Sequence, residues 1–216
     1  MSERKLYTYF RSSAAWRVRI ALHWKGLDYQ AVPVHLLRDG GEQRKPDYLA
    51  LNPAGLVPSF ETEGVVLTQS LAICEYLEER YPMPPLLPGE PLARAQVRSL
   101  AYAIGCDIHP INNLRVLKYL KGTLGQSQEV VDEWLRHWMG VGFTALETEL
   151  ERLGSHHYCY GGALSLADLC LVPQVFNARR FNLDLTPFPN IVAIDAHLTS
   201  LPAFEATHPS RQPDSE

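Results

Sequence analysis

Two hydroxyl-bearing helix starts, with a proline-marked strand between them, are the places where this chain could do chemistry. Ser12-Ser13 precedes one amphipathic run and Gln69-Ser70 opens another. A helix start presents N–H groups without intrahelical partners and the positive end of the helix dipole, so each suits an anion. At Ser70 the alternative is a serine that only caps its own helix. Val57-Pro58 lies at the head of a strand, where proline marks a strand start, an edge position, or a cis bond in a tight bend. In the bent form Val57 would turn its N–H and C=O toward solvent, ready to pair antiparallel with an extended peptide. An extended, anionic, thiol-bearing peptide would use all three places. Its backbone would pair in the middle, a carboxylate would sit at one helix start, and a thiolate at the other, where dipole and hydroxyls lower a thiol's pKa.

The elements that must position these groups alternate along the first part of the chain. Lys5–Phe10 has the aromatic alternation of a strand. Ala14, Val18, Ala21 and Leu22 form the apolar face of a helix that Ser12 and Ser13 can cap and Gly26 can end. Tyr29–Leu36 reads as a second strand, and strand–helix–strand implies parallel pairing. Val57–Glu61 and Val65–Thr68 flank the Glu63-Gly64 turn, and a helix follows from Ser70 to Arg80 with Ile73, Cys74 and Leu77 inward. Residues 82–91 then hold five of the sixteen prolines, which neither a helix nor a central strand can cross. Beyond that boundary Leu92–Ile108, Asn112–Leu124, Gln128–Arg152 and Leu166–Phe181 all carry helical apolar spacing. The expected fold class is therefore α/β plus all-α, with a small α/β domain over 1–84 and a helical domain over 92–216. Within the second, Ser165-x-x-Asp168 reads as a capping box with Leu164 and Leu169 as its hydrophobic staple, which makes Asp168 a folding residue.

Composition narrows the classes. The 216 residues carry 20 Lys+Arg against 24 Asp+Glu, a formal charge of −4, with 46 % hydrophobic residues. That is too apolar for a disordered chain and too acidic for a nucleic-acid partner. No apolar run reaches the roughly 18–20 residues of a membrane span, and the amino terminus has no signal-peptide pattern. The four cysteines are scattered without a Cys-x-x-Cys pair, which fits free thiols in a reducing cytoplasm. Cys106-x-x-His109 with His156-His157-x-Cys159 has the ligand types of a zinc site, but the doublet is awkward and the pairs are far apart, so no metal is expected.

Arg11-Ser-Ser-Ala-Ala-Trp-Arg-Val-Arg-Ile-Ala-Leu22 resembles the signature of zeta-class glutathione transferases, the group that includes the maleylacetoacetate isomerases. The resemblance continues through Leu51–Pro58, Gln69–Ile73, Glu75–Pro82, Gly105–Asn113, Ala167–Gln174, Arg180–Pro187 and Gln212–Asp214, nearly the whole chain. It implies that the first domain is thioredoxin-like and binds glutathione, with Val57-Pro58 as the cis-proline element. Val57 would pair with the cysteinyl backbone, Gln69 and Ser70 would hold the γ-glutamyl end, and Gln43 and His109 match glutathione contacts. Ser12 and Ser13 occupy the thiolate-activating positions, with Ser13 as the direct donor. Many members have Cys after the two serines; here the residue is Ala14. If glutathione supplies the sulfur, that departure should cost little.

The implied reaction is a glutathione-dependent cis–trans isomerisation of 4-maleylacetoacetate to 4-fumarylacetoacetate in tyrosine and phenylalanine breakdown. Maleylpyruvate isomerisation, or conjugation of small α-halo acids, would use the same thiolate. A glutathione-binding module without chemistry is the reading from another class. A dicarboxylate substrate calls for cationic anchors, because the planar guanidinium binds a carboxylate through two parallel hydrogen bonds. Arg11, Arg115 and Arg180 are the candidates, with Asn113 beside Arg115, although each arginine could equally be a solvated surface residue. Arg17 and Arg19 read as structural or subunit-contact residues. Relatives in the group are homodimers, so a homodimer is expected.

Overall fold

The computed structural model describes residues 4–216, which divide into two compact units: the chain up to Pro85 together with Leu201–Glu216, and Leu86–Ser200. The first unit is built on a four-stranded sheet of β1 (Lys5–Thr8), β2 (Gln30–Pro33), β3 (Ser59–Thr62) and β4 (Val65–Thr68), in the order β2-β1-β3-β4. β1 and β2 run parallel, as the intervening helix α1 (Ser13–Trp24) requires, while β1/β3 and β3/β4 are antiparallel. The β3–β4 hairpin turns at Glu63 (φ 50°) and Gly64 (φ 81°), both left-handed, as the tightest hairpin turns demand.

α1 begins at Ser12, whose side chain accepts the Ala15 N–H at 3.2 Å, and it ends in a reversal at Gly26 (φ 63°). There Leu27 N–H bonds Leu22 C=O and Gly26 N–H bonds His23 C=O, which satisfies the last carbonyls. Val18, Ala21 and Leu22 are fully buried, as the sequence indicates, whereas Ala14 is only half-buried and Ala15 stands in the core instead. Helix α3 (Ser70–Arg80) packs against α1 through Ile73, Cys74 and Leu77. Lys25, just past α1, fixes that pair: its ammonium donates to Glu78 at 2.8 Å and to the carbonyls of Tyr81 and Pro84.

Three strands are shorter than the sequence suggests, and β2 keeps only Gln30–Pro33 of the expected Tyr29–Leu36. β1 stops at Thr8 because Tyr9 and Phe10 turn into the helix cap, and both join Val34, Tyr48 and Val57 in one buried cluster. β3 begins at Ser59, so Val57-Pro58 precedes it, and that peptide bond is cis. The short helix α2 (Pro46–Leu51) is absent from the sequence pattern.

The C-terminal segment, assigned to 92–216 from sequence, groups with the first unit. α10 (Pro202–Thr207) packs on α1, and Trp16 Nε1 donates to Thr207 Oγ1 at 3.0 Å. Beyond it Asp214 accepts the backbone N–H of Phe10 at 2.9 Å. The proline boundary hid this return because proline marks where an element stops, not where the chain goes next.

The second unit is helical. α4 (Pro91–Tyr102) runs into a π-helical segment, Ala103–Ile108, then the short α5 (His109–Ile111) and α6 (Leu114–Gly122). α7 (Gln128–Arg152) is capped by Ser127 and buries Val131, Leu135, Met139, Phe143, Leu146 and Leu150 along one stripe. It meets the π segment so closely that a Cβ at Gly142 would fall 2.3 Å from Ile108. α8 (Leu166–Arg180) is buried on every side from Leu166 to Val175, as a central helix must be. Asp168 accepts from the N–H and hydroxyl of Ser165 and from the N–H of Cys159, each at 2.7 Å, so the expected capping box is extended to a neighbouring loop. α9 (Pro189–Thr199) is capped from α7: the Glu147 carboxylate accepts the N–H groups of Asn190 and Ile191. Among the described residues no helix is long and apolar enough to cross a membrane, and no cluster of His, Cys, Asp or Glu could hold a metal.

Candidate active site

The corner between β1 and α1 carries Arg11, Ser12 and Ser13. Buried Arg19, on α1, braces it by donating to Thr8 Oγ1 and to the carbonyls of Tyr9 and Phe10. Burial lowers the Arg19 guanidinium pKa to about 10. Arg11 lies over the rings of Phe10 and Tyr9, 4.9 and 5.8 Å from their centroids, and donates to the Tyr9 hydroxyl at 2.9 Å. It is half-buried and makes no ion pair among the described residues. Ser12 spends a lone pair on the Ala15 N–H, which leaves its hydroxyl proton to be given elsewhere, whereas Ser13 is the first, buried residue of the helix.

Opposite requirements meet at Val57. Its side chain is held in the Tyr9–Phe10–Val34–Tyr48 cluster, while its own N–H and C=O enter none of the backbone hydrogen bonds around it. The loop that delivers it is fixed from α2: Tyr48 Oη and Asn52 Nδ2 both donate to Leu56 C=O, at 2.7 and 2.8 Å, and both bond Ser59 Oγ. Unpaired main-chain groups on a rigid loop are what strand addition needs.

Gln43 is buried, and its side-chain oxygen has no donor among the described residues. Gly41 makes its position possible: with φ 110°, a Cβ there would lie 2.7 Å from both terminal atoms of the Gln43 amide. A buried acceptor without a partner costs about 1–3 kcal/mol unless a ligand supplies the donor.

At the head of α3, Gln69 has φ 69° and ψ 111°, a conformation rare for a side-chain-bearing residue, and it caps nothing with its side chain. Ser70 is nearly buried and accepts a hydrogen bond at 3.2 Å from Arg17 Nη1. Arg17, read from sequence as structural, is thus tied to a candidate site residue. Helical spacing gave no hint of this, since the contact crosses from one helix to another.

The remaining candidates belong to the second unit. Asn113 caps α6 by accepting the Arg115 N–H at 3.1 Å, so its carbonyl oxygen already has a structural task. Arg115 is exposed on the first turn of α6, and His109 opens α5. Arg180 lies over the Phe181 ring and lines a cavity of about 460 Å3 with Leu114, Leu117, Lys118, Lys121 and Phe181. Asn113, Arg115 and His109 do not line that cavity.

A mixed four-stranded sheet with a cis-proline loop and a hydroxyl-bearing helix start, followed by a helical unit, defines the glutathione transferase fold. The sequence agrees: residues 6–85 match the glutathione S-transferase N-terminal domain and residues 101–202 its C-terminal domain. The chain belongs to the glutathione S-transferase family and, within it, to the zeta-class group of maleylacetoacetate and maleylpyruvate isomerases. It is 50 % identical over 212 residues to the maleylacetoacetate isomerase of Pseudomonas aeruginosa, covering 98 % of each chain. Its fold matches the holo structure of a zeta-class maleylpyruvate isomerase with TM-score 0.95 at 47 % identity, over 98 % of this chain and 100 % of that one. It also matches the maleylacetoacetate isomerase of Methylobacterium extorquens, solved with malonate and glutathione bound, with TM-score 0.93 at 44 % identity over 98 % and 99 % of the two chains.

Proposed function

We propose that this protein is a glutathione-dependent cis–trans isomerase that converts 4-maleylacetoacetate to 4-fumarylacetoacetate in tyrosine and phenylalanine catabolism. The observation that carries the reading is full-length likeness to an isomerase solved with glutathione and a small dicarboxylate together. The residues fit the tripeptide. Val57 offers an unpaired N–H and C=O to its cysteinyl backbone, the buried Gln43 oxygen offers an acceptor to a ligand N–H, and Gln69 and Ser70 open a helix toward its γ-glutamyl carboxylate. Glutathione supplies, when bound, a thiolate able to add to an activated alkene and leave it again, so that the former double bond can rotate.

The chain's own part is to keep that sulfur ionised and to hold the diacid. The amino end of α1 provides positive potential and Ser12 provides the hydrogen bond, since its cap geometry frees the proton; Ser13 acts beside it. This transfers the donor role from Ser13, favoured by the sequence, to Ser12. Arg11, without an anionic partner and oriented by Tyr9 and Phe10, takes a substrate carboxylate or the charge that develops on the carbonyl. Within the second unit, Arg180, which lines the cavity there, is the residue we assign to a carboxylate. No step needs a protein thiolate, so Ala14 is compatible with turnover. A homodimer in the cytoplasm completes the reading.

Maleylpyruvate is the second reading, favoured by the 0.95 TM-score match to a maleylpyruvate isomerase. The test is turnover of each diacid with and without glutathione. Turnover of maleylacetoacetate above maleylpyruvate, and only with the thiol, is expected. Activity that persists without thiol removes the cofactor assignment, and glutathione binding without turnover of either acid, or of a halo acid, leaves a binding module.

A further inference from the structure

We propose that Arg17 is a positioning residue for the γ-glutamyl carboxylate: a buried cation behind Ser70 that completes the anion site at the head of α3. The inference rests on the glutathione reading above and goes beyond it, because Arg17 lies on α1, outside the peptide-contacting positions.

Three observations meet there. Arg17 is only 2 % exposed, yet among the described residues its Nε and Nη2 have no hydrogen-bond partner, and its one bond there, from Nη1, goes to Ser70 Oγ at 3.2 Å. A guanidinium buried without an anion is expensive, so the fold tolerates it only where an anion arrives later or where it serves the site. Ser70 is the first residue of the eleven-residue α3, whose leading N–H groups receive no side-chain cap from Gln69. The bond from Arg17 also decides which way Ser70 works. Its oxygen is occupied as an acceptor, so its hydroxyl proton is left to donate to a ligand. Donor hydroxyl, open helix amides and buried cation therefore add at one point, and the matching group is a carboxylate. Arg19, two residues on, is spent on Thr8, Tyr9 and Phe10 and cannot take this part.

Calorimetric titration of the full chain tests this with two ligands, glutathione and 4-aminobutyryl-cysteinyl-glycine, which differ only in the γ-glutamyl α-carboxylate. The unsubstituted protein should prefer glutathione about tenfold or more, the size of a charge-assisted hydrogen bond. Arg17→Gln should bring that preference close to one while leaving affinity for the analogue nearly unchanged. A purely structural arginine would weaken both ligands alike, and that result, or an unaltered preference, overturns the proposal. Circular dichroism checks folding; if the glutamine variant does not fold, Arg17→Lys carries the comparison and must reduce the preference several-fold. Failure of the unsubstituted protein to bind glutathione at all would overturn the glutathione reading, and the role of Arg17 with it.

Discussion

Phe10 donates its backbone N–H to the carboxylate of Asp214 at 2.9 Å, across 204 residues of chain. The carbonyl of the same residue is held by Arg19, so the peptide just before Arg11 is gripped from both sides. Asp214→Ala should destabilise the protein by about 1 kcal/mol, because it strands the Phe10 N–H of a part-buried hydrogen bond. It should lower kcat/KM as well, because Arg11 and Ser12 follow directly. Urea denaturation and steady-state kinetics measure the two effects, and Asp214→Asn, which keeps an acceptor, should fall between.

Ser12 and Ser13 separate by what each already does. Ser12→Ala removes the α1 cap, at about 0.5–2 kcal/mol of stability, and also the hydroxyl we propose as donor to the glutathione sulfur. Ultraviolet absorbance of bound glutathione thiolate should disappear in that variant and return in part with Ser12→Thr. Ser13→Ala should keep most of the absorbance; the opposite pattern would return the donor role to Ser13.

Gly41 is expected to be irreplaceable for a binding reason. Alanine there is strained at φ 110° and drives the Gln43 amide from its place. Gly41→Ala should weaken glutathione binding severalfold and should match Gln43→Ala in calorimetry. Equal affinity in all three proteins would show that the Gln43 oxygen is not a ligand contact.

Local signals carried much of the fold. The parallel β1–β2 pair, the Glu63-Gly64 hairpin, α3 and α7 all follow from capping residues, turn chemistry and apolar spacing. α2, α9 and α10 did not, because each begins at a proline that reads equally well as a breaker, and α2 and α10 are also only six residues long. The long run ending at Ile108 was read as one helix, yet it changes to π at Ala103 and meets α7 at Ile108 and Gly142, a tertiary contact that apolar spacing does not encode. At the candidate site, the helix starts at Ser12 and Ser70 and the proline bend after Val57 were legible in the sequence. Arg17 was not, since its meaning depends on which helix α1 packs against.

Ser165→Ala should cost about 0.5–2 kcal/mol. Asp168→Ala should cost more, because it strands the N–H groups of Ser165 and Cys159 together, both buried. Chemical denaturation of the two variants checks the order, and glutathione affinity should survive wherever the fold does.

Cys74, Cys159 and Cys170 are shut away in the interior while Cys106 lies open on the π segment. The native chain therefore carries its own attachment point for a thiol-reactive fluorophore. A dye placed there would report directly on that unusual turn, next to His109, as diacids are titrated, with no engineered cysteine needed.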